Sequence, residues 1–262
     1  MVIKILRILK EAFVVLFLYL NPIEYYKIRL GFEKRKEVLL RLRGGVVYIL
    51  RPNTNQIRIV DEICRKGVYD GILGFVNLES IVIDIGANIG IFSIRAGKKA
   101  SLGKVFCFEP EPRNFEILNK NIRVNNMESL FVVKQKAVAD TVRFTRFYFD
   151  EYNSGGGSLY NTEIGKKSGL LEVRTTTLND IFEYYKIKQC DVLKLDCEGA
   201  EGEILTSTNP EIFPKIKSMA IEWHPDLNKI TLNELRDFLK KNGFQTDFQK
   251  KTDILYCKRY EQ

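Results

Sequence analysis

Histidine, paired cysteine and long apolar runs are nearly missing from this chain. In 262 residues it has one histidine and one tryptophan, and its five cysteines, Cys64, Cys107, Cys190, Cys197 and Cys257, are widely scattered. No two have a C-x-x-C spacing, which argues against a structural zinc site, and an odd number so far apart does not read as a disulfide framework. A reducing cytoplasm fits that usage. The apolar run Ala12 to Leu20 is nine residues long, well short of the ~20 that span a bilayer. The dinucleotide fingerprint G-x-G-x-x-G is absent as well.

Excess charge is also missing from most of the chain. Residues 1–60 hold twelve Lys or Arg against four Asp or Glu, whereas residues 61–262 hold 29 of each. The net charge of +8 therefore belongs to the first quarter. A body without excess positive charge is a poor candidate for following a phosphate backbone, so no nucleic-acid partner is expected.

That basic quarter begins MVIKILRILKEAFVVLFLYLNP, with Lys4, Arg7 and Lys10 set among Ile and Leu at helical spacing. Lys34, Arg35, Lys36, Arg41 and Arg43 follow. The pattern describes an amphipathic helix at a membrane surface, with residues 1–43 as the contact and the inner face of the membrane as the place. Packing on its own domain or on a twin subunit, giving a homo-oligomer, is the alternative. A secretory signal fits less well, because Asn21-Pro22-Ile23 stands where an A-x-A-like site belongs.

Residues 1–50 are read as a basic extension and 51–262 as one catalytic domain, with an insertion at about 140–180. Within the extension, residues 38–51 form a hairpin around Gly44-Gly45, and a helix over 56–68 follows. Strands at 81–86, 104–109, 131–138, 191–196 and 218–223 then alternate with helices at 89–100, 112–125 and 231–242. Thr231 and Glu234 make a capping box for the last helix, and Gly243 ends it. A strand pair after Gly243 completes the pattern. This predicts an α/β, doubly wound, mostly parallel sheet with its ligands beyond the carboxyl ends of the strands. The insertion carries Asn153-Ser154-Gly155-Gly156-Gly157-Ser158, expected as a hairpin tip or mobile flap beside the site. A helix opens there at Thr177.

The first of these strands ends Asp84-Ile85-Gly86-Ala87-Asn88-Ile89-Gly90, a D-x-G-x-x-x-G turn opening a helix. Glycines at such a turn let backbone approach a ligand. Glu109, nineteen residues after Gly90, ends the next strand, where an acid accepts hydrogen bonds from both hydroxyls of a ribose. A carboxylate at Asp84 would face a pyrophosphate with the wrong sign, whereas the ammonium and sulfonium of S-adenosylmethionine welcome it. S-adenosylmethionine is thus the expected cofactor, rather than NAD. Helix capping is the plain alternative for Asp84.

The ordered motifs VIDIGANIGIFS (82–93), FEPEPRNFEILNKNI (108–122), KAVAD (136–140), SGGGS, TTLND (176–180) and LKLDCEGAE (193–201) resemble the FkbM family of S-adenosylmethionine-dependent methyltransferases. The resemblance spans about residues 50–245. It implies a class I methyltransferase fold with a seven-stranded, Rossmann-like sheet, and methyl transfer to oxygen, often to a sugar hydroxyl of a glycan. It also implies that Asp84, Gly86, Asn88 and Gly90 line the methionine part, that Glu109 holds the ribose, and that residues 136–140 flank the adenine. Ala87, Pro110, Ala137 and Val138 complete the expected cofactor lining.

Methyl transfer needs an acceptor oxygen held close to the methyl group and a base to take its proton. Asp196 at the end of the fourth strand is the first choice, with Glu198 beside it; Glu201 reads rather as a helix-start residue. Glu222 and His224 bring further titratable groups to the same edge, and Trp223 between them reads as core. Asp196, Glu222 and His224 also form a donor set that suits Mg²⁺ or Mn²⁺, but nothing in the sequence establishes a metal and none is assigned. The expected activity is an O-methyltransferase acting on a sugar of a glycan or lipid-linked saccharide. Its rivals are a methyltransferase for a non-carbohydrate small molecule and a non-catalytic cofactor-binding module recruited to membranes. A nucleobase methyltransferase would show an Asn/Asp-Pro-Pro-aromatic loop where Asp196-Cys197-Glu198-Gly199 stands.

Overall fold

The computed structural model describes residues 12–160 and 169–260. Residues 1–11, which hold the first charged half of the amphipathic segment, lie outside the described residues. Helix α1 covers residues 12–18 and α2 covers Pro22–Arg29. The expected hairpin forms from β1 (Val38–Arg41) and β2 (Val47–Leu50), paired antiparallel. Next comes α3 (Gln56–Val60), whose last turn widens into a π-helical stretch at Asp61–Arg65, and then α4 (Asp70–Leu73). The helix expected over 56–68 thus ends early, at Lys66-Gly67, where Gly67 has φ of 68°.

The main sheet contains β3 (Ile81–Ile85), β4 (Lys104–Phe108), β5 (Phe131–Lys134), β9 (Cys190–Leu195), β10 (Ile216–Glu222), β11 (Phe244–Gln249) and β12 (Ile254–Arg259). Their order is β11-β12-β10-β9-β3-β4-β5, with parallel pairing from β10 through to β5 and only β12 inserted antiparallel. This is the seven-stranded, mostly parallel sheet expected from the resemblance. Sequence dictates it simply: β9 is buried at every position, as a central parallel strand covered on both faces must be. The expected strand at 131–138 divides after Lys134. Its second half, β6 (Ala137–Val138), leaves for a small sheet with β7 (Phe144–Phe149) and β8 (Gly169–Thr176).

Both faces are covered. On one lie α5 (Ile91–Lys99) and α6 (Pro112–Val124), and on the other α7 (Leu178–Tyr184), α8 (Glu201–Thr206) and α9 (Leu232–Lys241). Capping boxes open α7 at Thr177 and α9 at Thr231. Glu111 caps α6, accepting from the amides of Arg113 and Asn114. Residues 12–50 do not stand apart: Val15, Tyr19, Tyr25, Leu40 and Tyr48 share one core cluster with Ile91, Ile117 and Ile122. Two asparagines on α6 stitch the hairpin to the domain. Asn121 accepts from the Ile49 amide at 2.5 Å and donates to the Ile89 carbonyl at 2.8 Å, and Asn125 bonds both backbone groups of Val47.

The main sheet reverses its order between β3 and β9, so the crevice at a topological switch point opens beyond Ile85 and Leu195. The two strand ends meet there with no space between them. A Cβ on Gly86 would lie 1.7 Å from the carbonyl oxygen of Asp196, so any side chain at Gly86 would force β3 and β9 apart.

Asn121→Ala should cost about 1–3 kcal/mol, because it strands a buried backbone amide and carbonyl. Chemical denaturation checks this; a loss below about 0.5 kcal/mol, the range of ordinary surface substitutions, would show that the hairpin does not depend on the stitch.

Candidate active site

At the switch point lies a cavity of about 400 Å³, within the range of small-molecule sites. One half is built by the turns after β3 and β4. The amides of Gly86 and Ala87 both donate to the Phe108 carbonyl, at 3.0 and 3.1 Å, which ties the first turn to the end of β4. Asn88 takes φ of 51°, which aims its amide at Glu109 Oε2, 2.8 Å away; the Glu111 amide reaches Oε1 at 2.9 Å. Glu109 therefore faces the cavity with each oxygen holding one backbone donor and a lone pair to spare. Burial, with the nearby Glu111 charge adding to it, pushes the Glu109 carboxyl up to about 8 against the pull of the two amides.

The glycine tract roofs this half. As expected of a hairpin tip beside the site, it lies in the connection between antiparallel β7 and β8, in a loop closed where the Tyr148 and Ser158 backbones exchange two hydrogen bonds of 2.8 Å. Three asparagines from separate segments converge on Ser154. Asn88 and Asn114 donate to its carbonyl at 2.7 and 2.8 Å, and Asn55 accepts from its amide at 2.9 Å. Ala137 and Val138 on β6 and Pro110 complete this lining.

The other half is a charged cluster around a buried lysine. Lys194 Nζ sits 3.1 Å from Asp84 Oδ1, 3.1 Å from the Gly86 carbonyl and 3.2 Å from Asp196 Oδ2. Burial works against its charge, but Asp196, Asp84 and Glu222 together outweigh it and hold the ammonium firmly protonated. Tyr69 donates to Glu222 Oε2 at 2.6 Å, with its hydroxyl 3.5 Å from Asp196. Burial, then the neighbouring Asp196 charge, raise the Glu222 carboxyl to about 8.

Three of the expected site residues are placed elsewhere. Asp84 is fully buried and does not line the cavity; Ser93 and Lys194 bond its carboxylate. The interior of the sheet has a cation for it, so it needs none from a ligand. Gly90 is the residue before α5, at φ of 85°, and it faces Leu118; its role is the helix entry. His224 is outside the cavity lining but borders it: Nδ1 is 3.0 Å from Glu201 Oε1, and Nε2 is 3.8 Å from Oε2 of the cavity-lining Glu198. Gly86, Ala87, Asn88, Glu109, Pro110, Ala137, Val138, Asp196, Glu198 and Glu222 do line the cavity.

Glu201 is indeed the first residue of α8, but its carboxylate folds back into the loop. It accepts from the amides of Cys197 and Gly199 and from Asn228 Nδ2. Burial pulls the His224 imidazole down, but the hydrogen bond to Glu201 and the Glu201 and Glu198 charges outweigh it and raise it to about 10. Glu201 is lowered by the same pair despite its burial. Asp196, Glu198 and His224 bring three N and O donor atoms within 4.8 Å of one another; this trio, not the one with Glu222, is the metal-type grouping among the described residues.

Sequence reading missed Tyr69 and Lys194. Lysine at an inward position of the otherwise apolar run Val192 to Leu195 is the one local signal that could have found Lys194. Tyr69 has no such signal, because it reaches Asp196 from 127 residues away.

Residues 84–246 match the Methyltransferase FkbM domain family. Methyltransferase sdnD of Sordaria araneosa is 28% identical over 197 residues, covering 64% of this chain and 74% of its own length. The 31-O-demethyl-FK506 methyltransferase FkbM of Streptomyces tacrolimicus is 27% identical, covering 63% and 72%. Hexuronic acid methyltransferase AglP of Haloferax volcanii is 21% identical, covering 69% and 71%. Among solved structures, methyltransferase FkbM of Methylobacillus flagellatus KT superposes with a TM-score of 0.48 at 15% identity, over 69% of this chain and 44% of its own.

Lys194→Met should destabilise the fold by about 3–5 kcal/mol, the cost of leaving a buried carboxylate without its partner. Adding Asp84→Asn should restore part of that loss. Thermal unfolding of the single and double variants checks this, and strictly additive losses would show that the two residues are uncoupled.

Proposed function

The chain belongs to the FkbM methyltransferase family and uses S-adenosylmethionine, and from that premise we propose that it methylates a hydroxyl oxygen, one carried by a sugar of a glycan or lipid-linked saccharide. When bound, the cofactor supplies an electrophilic methyl group on a sulfonium. The residues present fit it. Glu109 presents its spare lone pairs where a ribose diol can donate to both oxygens, Asn88 and Ala87 offer the turn against which the methionine part rests, and Ala137 and Val138 form an apolar wall for the adenine. Carboxylates outnumber lysines around the cavity, which suits a cationic ligand.

The pairing of Asp196 with Glu222 across the Tyr69 hydroxyl carries the reading. Two carboxylates near one another cannot both ionise freely. Asp196 lies 3.2 Å from the Lys194 ammonium, while Glu222 is the one whose carboxyl is raised, to about 8. Tyr69 engages Glu222 Oε2, so Oε1 is the atom that takes the proton of an acceptor hydroxyl. Lys194 fixes Asp196, and Asp196 in turn raises the basicity of Glu222. The sequence-based first choice for the base, Asp196, becomes on this reading the group that tunes it. Glu198, at φ of 54°, borders the acceptor side of the cavity.

An oxygen acceptor suits this acidic edge better than a planar amine, since Asp196-Cys197-Glu198-Gly199 is no aromatic clamp. Two relatives' names support it: one refers to a 31-O-demethyl compound and one to a hexuronic acid, which is a sugar. The first of these also favours the second reading, a hydroxyl on a non-carbohydrate small molecule. Labelled methyl transfer to glycan fractions and to small-molecule extracts, followed by mapping of the methylated atom, separates the two; label appearing on nitrogen or carbon would overturn both.

At pH 7 a carboxyl with pKa about 8 is ionised in roughly one molecule in ten. Turnover should therefore rise with pH through about 8 and level off above it. Glu222→Gln should lower kcat about 10²–10⁴-fold with cofactor affinity kept. Asp196→Asn should move the rising limb to lower pH, because it removes a like charge. A limb unmoved by Asp196→Asn and still present in Glu222→Gln would exclude Glu222 as the base.

Cofactor affinity should follow Glu109 in the same direction. Hydroxyl donors favour its carboxylate, so binding releases a proton, and affinity should strengthen as pH rises toward about 8. Calorimetry in buffers of different ionisation heat reads the released proton directly, and Glu109→Gln should abolish it.

A further inference from the structure

Residues 13–32 carry an apolar face that the other described residues do not cover. On α1 the residues facing inward, Val15 and the following Tyr19, are buried, while Phe13, Leu16, Phe17 and Leu20 point out at the i, i+3, i+4, i+7 spacing of one helix face. Phe13 is 69% exposed and Phe17 73%. The stripe continues past the turn: Ile23 is 70% exposed, and Leu30 and Phe32 after α2 are exposed as well. So many large apolar side chains exposed within twenty residues is unusual for a free surface, where such residues normally occur singly.

Cations frame the stripe, and backbone pairing fixes them there. The Leu20 amide donates to the Arg41 carbonyl at 2.8 Å and the Arg43 amide to the Leu18 carbonyl at 2.9 Å. This sets the strand end alongside α1, with Leu39, Arg41 and Arg43 exposed beside Leu16 and Leu20. The Arg43 guanidinium reaches the Leu16 carbonyl at 3.3 Å. Lys27, Arg29, Lys34 and Lys36 are exposed nearby in the chain. Residues 12–43 hold seven Lys or Arg against three Glu.

We propose that this face seats the protein on an anionic lipid bilayer, with Phe13, Phe17, Leu20 and Ile23 entering the headgroup and acyl boundary and Arg41 and Arg43 meeting lipid phosphates. The opposite side of α1 is committed to the core through Val15 and Tyr19, so the helix lies along the surface with one face immersed. Among the described residues no helix is long and apolar enough to cross a membrane. A second copy of the chain is the poorer occupant: a two-fold contact through this patch would bring two net-positive faces together. Basic residues near an anionic surface add electrostatic attraction to the apolar insertion.

The seat is joined to the cavity. Tyr25 on α2 donates to Asp61 at 2.9 Å, and Arg29 and Arg65 flank the same carboxylate. Asp61 belongs to the helical stretch whose Ile59, Glu62 and Ile63 line the cavity.

Sedimentation of the full chain with vesicles tests the proposal. The chain should bind vesicles rich in phosphatidylglycerol and bind pure phosphatidylcholine at least about tenfold more weakly, with added salt narrowing the gap. Phe13→Ser with Phe17→Ser should cut binding to the anionic vesicles by about tenfold or more, as should Arg41→Glu with Arg43→Glu. All these residues are exposed, and an unchanged circular dichroism spectrum and S-adenosylmethionine affinity would show that the variants are folded. Absence of vesicle binding, binding indifferent to both variant pairs, or a dimer broken by Phe17→Ser in a chain that ignores vesicles would each overturn it.

Discussion

Lys194 holds the middle of this protein in place electrically. Its ammonium, inside the central strand, is shared by Asp84 from the neighbouring strand and Asp196 from its own, and it also holds the Gly86 carbonyl of the cofactor-side turn. An unpaired ion at that depth would be prohibitively costly. Once the lysine is there, the two carboxylates and the turn have one arrangement that satisfies it. The strand ends, the glycine turn and the reacting edge are thus positioned by a common charge. The rings of Tyr69 and Phe92 close over it, with centroids 5.5 and 5.9 Å from Nζ.

Around that centre the two halves of the cavity are held by different means. The cofactor half relies on neutral donors and backbone: Asn55, Asn88 and Asn114 gather the glycine tract, and amides fix Glu109. The reacting half relies on charge, with Glu201 and its imidazolium partner beneath the Asp196 loop. The halves touch through Ser158, whose hydroxyl donates to the Glu198 carbonyl at 2.6 Å. The roof over one half is thereby fastened to the loop that serves the other.

Much of this was legible in the sequence. Strands such as Cys190 to Leu195 announce themselves because both faces are covered, and the capping boxes at Thr177 and Thr231 are local chemistry written in four residues. Glu109 could be located by its distance from the glycine turn. What escaped depends on partners remote in sequence. Asp84 reads as a ligand for a cation until Lys194 is placed 3.1 Å away. His224 reads as a site residue because its strand ends at the right edge, but the direction of its ring is decided by Glu201. Tyr69 precedes the sheet altogether and enters the site by packing against Phe92. The departure of β6 from the main sheet has no local mark either, since Ala137 and Val138 suit both sheets.

The pairing of His224 with Glu201 has a consequence for how this molecule answers to its surroundings. Histidine is the side chain by which proteins ordinarily register acidity near neutrality, and here Glu201 raises the sole one to about 10, so that it stays protonated through neutrality. That office passes to two buried acids, Glu109 and Glu222, each raised to about 8. Both line the cavity, so a mild rise in alkalinity adds negative charge to its wall at two places. Proton sensing in this protein is a property of its glutamates.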